Sequence, residues 1–342
     1  MSNDRHAAAA VAELYHAWLT GLVLTVLNHR DAAVAEEFVF RLFRRQHLEK
    51  FLPGLDKLGL ANEPHAIAAA KYHYFSNQLG GVCVEYLAES EHKAWIRYPP
   101  PRWIWLGTAI CAIPTDVNRA MLRGWHAHNG VSLGNPRLGF VCTKTTVDGQ
   151  AGLEGYYLEY GHDLALDERL QFRPHEDAPY IDPTTLPELD VSHWPAERRD
   201  KAARNYAMDY VRTALPVLTE LIGAAATREL GRLSARQIGM QWHREIATLF
   251  GITSSTADDF LTLFEALVRG QGDVVERRGD TLVQQGWRLF RGLPPPEEAV
   301  FDAWNGLWEG LLLAHDRFLR LDVERRIDGD DMYVEWRVRT TR

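Results

Sequence analysis

Four histidines in the first half of the chain have the residue type and setting to do chemistry. His73 lies in Lys71-Tyr-His-Tyr-Phe-Ser-Asn77, His126 and His128 lie in Trp125-His-Ala-His128, and His162 precedes Asp163. Imidazole exchanges protons near neutral pH and ligates divalent metals. The set could therefore carry proton transfer, or His126, His128 and His73 could hold a metal-bound water. The alternative is that these rings cap helices or hydrogen-bond inside a partly polar core. Residues i and i+2 lie on different faces of a regular helix, so His126 and His128 can share a ligand only where the helix frays, at Asn129-Gly130. A helix C-terminus also favours an imidazolium by ~0.3–1 kcal/mol.

A second group is aromatic. The chain has 11 Trp, 12 Tyr and 13 Phe, and indoles are costly to leave exposed and want a partner for their N–H. Trp95, Tyr98, Trp103, Trp105 and Trp125 could line a cavity for a planar ligand or could fill a core, and Tyr157 joins Trp95, Trp103 and Trp125 as a candidate ligand contact. Strand alternation puts Tyr157 and Glu159 on one face and Glu154, Tyr156 and Leu158 on the other. Glu85 and Glu154 stand in strands where burial would raise a carboxyl pKa. Cys83, Cys111 and Cys142 read as buried small hydrophobes, because no histidine adjoins them in sequence. The sequence contains no G-x-S-x-G, phosphate-loop or H-E-x-x-H motif, and no G-x-G-x-x-G after a strand.

The elements that must position these residues occur twice. Asn135-Pro-Arg-Leu-Gly-Phe-Val-Cys-Thr-Lys-Thr-Thr-Val-Asp-Gly-Gln150 aligns with His315-Asp-Arg-Phe-Leu-Arg-Leu-Asp-Val-Glu-Arg-Arg-Ile-Asp-Gly-Asp330 at an offset of 180. Upstream, Gly81-Val-Cys-Val-Glu85 aligns with Gly272-Asp-Val-Val-Glu276 at about 191. At these offsets Gly306 and Trp308 replace His126 and His128, which assigns the site to the first half and a structural role to the second. Asp-Gly between extended runs marks a hairpin in each half. Periodicity predicts helices over 7–28, 32–51 and 63–79, strands over 81–88 and 93–98, a helix over 115–129, and strands over 137–146 and 153–160. The second half repeats this: helices over 198–222, 226–250 and 256–270, strands over 272–277 and 281–290, a helix over 297–313, and strands over 317–327 and 331–339. Pro216 should kink its helix. Residues 161–197 hold five of the 16 prolines and read as a surface linker. The expected fold is α+β, a tandem duplication of an antiparallel sheet unit with helices on one face. The expected domains are 1–160, the linker 161–197, and 198–342.

With Gly81, the helix end at Trp125, Asn135-Pro136-Arg137-Leu138 and Asp148-Gly149, the layout resembles a bacterial family. This is the L-2-amino-thiazoline-4-carboxylic acid hydrolase-like family, itself similar in layout to small-molecule-binding domains of the 4-vinyl reductase type. The resemblance covers about residues 30–160 and, more faintly, 200–340. It implies a cavity between sheet and helices holding a small organic molecule. Family members often carry cysteines around the central helix and final strands, where this chain has Trp125-His-Ala-His128 and Cys142 alone.

Composition narrows the partners. Net charge is -8, and the Arg pairs 44–45, 198–199 and 325–326 sit near acidic residues, which argues against nucleic acid. The apolar run Ala17–Leu27 is short of the ~20 residues of a membrane span, and Asp4 and Glu13 argue against a secretory signal. Three widely spaced cysteines fit a reducing, cytoplasmic setting. The expected function is an enzyme acting on a small aromatic or heterocyclic compound, by hydrolysis or another acid–base-catalysed cleavage. The alternative is a non-catalytic small-molecule-binding or sensory protein. The cofactor is open, with a divalent metal as the candidate, and so is the oligomeric state, with a homodimer among the options.

Overall fold

A computed structural model describes residues 3–100, 105–328 and 331–341. The chain divides into two compact units, residues 30–199 and residues 1–29 with 200–342.

In the unit of residues 30–199, the helices are α2 (Ala32–Lys57), α3 (His65–Leu79), α4 (Thr115–Gly124) and a single turn α5 (Asn129–Ser132). Its strands are β1 (Glu85–Ser90), β2 (Lys93–Tyr98), β3 (Leu138–Lys144), β4 (Leu153–Glu159) and β5 (Leu170–Phe172), in the order β1-β2-β4-β3-β5. Asp31 caps α2 by accepting from the Val34 N–H at 2.8 Å. The Asp148-Gly149 turn works because Gly149 takes φ 79°, a left-handed conformation that favours glycine. The linker is more than a surface strap. It supplies β5, which pairs parallel to β3, and Ala178 packs on the Trp95–Val141–Tyr156 cluster.

The other unit contains α1 (Asn3–His29), α6 (Ala196–Ile222), α7 (Ala224–Leu249), α8 (Ala257–Gln271), α9 (Glu298–His315) and strands β6 (Val274–Arg278), β7 (Thr281–Gln285), β8 (Leu319–Asp328) and β9 (Asp331–Thr340). The sheet order is β6-β7-β9-β8, matching β1-β2-β4-β3. The fold is α+β, and the repeated strand order is that of a duplication. Pro216 lies within α6, which continues through it. The turn residues Gly329 and Asp330 lie outside the described residues.

One boundary differs from the sequence expectation. α1 does not belong with the first repeat; it packs on α7 and α8. The reason is close backbone approach. A Cβ on Gly270 would sit 2.6 Å from the Ala7 carbonyl oxygen, and one on Gly21 would sit 2.7 Å from Ile238. The apolar stretch is also longer than Ala17–Leu27. His6–His29 is long and apolar enough by composition to cross a membrane, and 72% of its apolar window is buried inside the protein.

Candidate functional site

The helix expected over 115–129 breaks at Gly124, and the break creates the site. A Cβ on Gly124 would lie 2.8 Å from the Phe40 carbonyl oxygen, so α4 ends tight against α2. Arg44 on α2 donates to the free carbonyls of Gly124 and Arg123, both at 2.9 Å. The chain then tightens into a 3-10 turn over His126–His128 before α5. This turn drives His126 into the interior, where it is 3% exposed.

There it meets His73 from α3. The two rings stack with centroids 4.2 Å apart and planes 15° apart. Tyr157 from β4 lies nearly parallel to both, at 5.7 Å from His73 and 6.3 Å from His126. Phe140 of β3 closes the layer at 4.7 Å from His126. The Asn129 amide nitrogen donates to the Tyr157 hydroxyl at 3.0 Å and faces His73 Nε2 at 3.2 Å. An amide NH₂ only donates, so His73 Nε2 must accept and the ring proton sits on Nδ1. That proton faces the Tyr98 hydroxyl at 3.5 Å. By contrast, neither ring nitrogen of His126 has a hydrogen-bond partner among the described residues, nor has Asn129 Oδ1.

Electrostatics follow from burial. Desolvation, with the neighbouring His126 and His47, holds the His73 imidazole well below its usual range. Burial alone takes His126 to about 3 and pushes the Tyr157 phenol well above its ordinary value. All three groups are neutral near pH 7.

The remaining sequence candidates divide. His128 turns away from His126 and packs edge-on against His47, at 5.1 Å; burial and the charges of Arg44 and Arg169 lower it to about 4. Trp125 joins the cluster, 6.2 Å from His73 and stacked on Tyr72 at 6.4 Å. Trp95 does not. It lies on the opposite sheet face with Tyr156 and Val141, because alternation that sends Tyr157 to the helices sends Tyr156 and its partner Trp95 the other way. Trp105 is buried apart, donating to Asn118 Oδ1 at 3.2 Å, and Trp103 lies outside the described residues. His162 is exposed beside Tyr160 and does not reach the layer. Cys83 and Cys111 are exposed rather than buried; Cys142 is buried, which pushes its thiol up to about 12. Glu154 accepts from Thr143 at 2.7 Å and Glu85 pairs with Arg97, so both are structural. The donor set does not fit one metal ion: His126 and His128 diverge, and among the described residues no three His, Cys, Asp or Glu side chains are placed to share a cation.

His47 is the main residue that the sequence reading missed. Buried completely on α2, it stacks on Phe51 at 4.8 Å and meets Ser132 Oγ at 2.8 Å; burial, with His128, Arg44 and His126, lowers it to about 3. Its signal was an imidazole in the apolar i, i+4 stripe Phe43-His47-Phe51. Asn129 was legible only as a fraying point.

The chain matches no protein-family model, no curated protein and no solved structure. Its own second repeat supplies the comparison instead. There α8, α9 and β9 contribute Phe264, Trp308 and Trp336, with Phe264 5.0 Å from each of the other two. Trp336 donates to Asn305 Oδ1 at 2.8 Å. The Trp308 indole N–H lacks a partner among the described residues, but nothing in that triad titrates. The second repeat thus holds an aromatic core where the first holds an imidazole layer, with Phe264 at the His73 position and Gly306 at the His126 position.

Proposed function

We propose that residues 30–199 bind a small, uncharged, planar organic molecule at the His73–His126–Asn129–Tyr157 layer. The observation that carries this reading is His126, a buried ring with both nitrogens unpartnered among the described residues, at a position where the second repeat has Gly306 and no side chain. Each buried unsatisfied polar atom costs about 1–3 kcal/mol, and such groups in a native fold call for an explanation. A ligand offering one acceptor and one donor would satisfy the ring. Neutral imidazoles recognise by hydrogen bonds and stacking rather than by charge, which favours an uncharged partner. The resemblance to families that hold small organic molecules points the same way.

The catalytic reading, cleavage of an aromatic or heterocyclic compound, draws on His73, whose tautomer Asn129 orients so that Nε2 is the lone-pair atom. An imidazole this weakly basic serves poorly as a proton donor at neutral pH, so binding is the better-supported function. The experiment is a screen of aromatic heterocycles by ligand-observed NMR on the full chain and on His126→Phe. Binding lost in His126→Phe, with the fold intact by circular dichroism, is the expected result. Binding that survives the substitution refutes the reading, and conversion of a bound compound to product selects the enzyme.

A further inference from the structure

The Asn135-Pro-Arg137 segment is not used by the buried layer. It lines an open cleft of about 580 Å³ together with His65, His92 and Glu159. His65 opens α3, eight residues before His73, so the cleft lies roughly 12 Å along that helix from the layer.

A single polar network frames the cleft. The Arg137 backbone N–H donates to Asn135 Oδ1 at 3.0 Å, which fixes the amide so that its NH₂ faces His65 Nδ1, also at 3.0 Å. His65 Nδ1 must accept, and its proton therefore sits on Nε2 as a donor outside this network. Arg137 then donates to Glu159 Oε1 at 2.7 Å, and the other oxygen of Glu159 stands 3.7 Å from His92 Nδ1. Glu63 is occupied by Lys71 at 2.6 Å. Counting hydrogen-bonding capacity, the carboxylates of Glu159 and Glu63 are engaged. His65 Nε2–H and the remaining guanidinium N–H groups of Arg137 keep donors to spare.

The second repeat again serves as a control. The positions of Asn135 and His65 at the two offsets are His315 and Thr256. There His315 Nε2 donates to the Thr256 backbone carbonyl at 2.9 Å, so a side chain bonded directly to backbone closes the joint. In the backbone pairing, His92 and Glu159 correspond to Asp280 and Val338. Among the described residues, the second repeat does not rebuild this network at its counterpart positions.

The geometry points to this cleft as a second binding site, for a small monocarboxylate held by Arg137 and His65. Glu91, on the rim, has no ion pair or hydrogen bond among the described residues, and it disfavours a ligand with a second negative charge. The test is isothermal titration of the full chain with benzoate and with inorganic phosphate. It uses wild type, Arg137→Gln, His65→Phe and His126→Phe, each checked for an unchanged circular dichroism spectrum. Benzoate affinity should fall about tenfold in Arg137→Gln and in His65→Phe, the loss of one charge-assisted or oriented hydrogen bond. It should be unchanged in His126→Phe, which separates the cleft from the buried layer. The assignment is overturned if benzoate fails to bind at about 20 mM, well above a millimolar Kd. It is equally overturned if phosphate binds as tightly as benzoate, or if both cleft variants bind like wild type.

Discussion

Replacing His126 by Phe probes the buried layer where its physics is sharpest. At pH 7 the substitution removes two unpartnered nitrogens, worth about 1–3 kcal/mol each, and adds ring volume that costs about 1–3 kcal/mol in a packed core. These effects offset, so the pH 7 value alone decides little. Acidification isolates the imidazole. His126 is held to about 3 in the fold by burial, against ~6.5 in the unfolded chain. Between those values the unfolded chain carries a proton that the folded chain lacks, so stability falls as pH drops, by about 1.36 kcal/mol per unit. From pH 6.5 to pH 5.0 wild type loses about 2 kcal/mol on this ring, and the Phe variant loses none of it. The packing change is the same at both pH values and cancels. The stability of His126→Phe relative to wild type should therefore rise by about 2 kcal/mol between pH 7 and pH 5. Native-state hydrogen exchange of the β3 and β4 amides measures it within the unit concerned. A relative stability constant to within about 0.5 kcal/mol would show that this ring is not buried and neutral, and would remove the observation on which the proposed function rests.

The layer makes three further predictions. Acid should destabilise this unit early: His47 and His126, both held to about 3, together remove about 4 kcal/mol by pH 5, and His73 acts in the same direction. Stability flat from pH 7 to pH 5 in urea titrations would contradict this. Asn129→Leu strips the amide donor from the Tyr157 hydroxyl and His73 Nε2, so its urea midpoint should report a loss of about 2–5 kcal/mol; a loss below about 1 kcal/mol would mean the network is not formed. In the second repeat, Trp308→His should lower stability by about 3 kcal/mol or more, because the fully buried indole packs on Phe264 and Trp304. A neutral outcome would show that this indole does not fill the second-repeat core as its ring contacts imply.

What the sequence determined by itself was local or repeated. Apolar spacing gave the helices, and alternation separated Tyr157 from Tyr156 correctly, because side-chain direction along a strand depends only on its own pleat. Aligned Asp-Gly turns gave the duplication, since each half must close the same hairpin, and the matching strand orders follow from it. Histidines at 73 and 126 could be singled out because imidazole is the side chain that exchanges protons and ligates metals near neutral pH, a property of the residue type alone. The tertiary structure decided everything that depends on which surfaces meet. α1 leaves its sequence neighbours for α7 and α8, through contacts at Gly21 and Gly270 that no periodicity encodes. α4 stops at Gly124 because α2 crosses there, and only that stop turns His126 inward and His128 outward. His47 enters from α2, 79 residues before His126 in sequence, and Trp95 is lost to the far face through its pairing with Tyr156. Burial also set the character of the site. The same imidazole is a proton carrier in water and a neutral hydrogen-bonding ring when desolvated, and only packing chooses between the two.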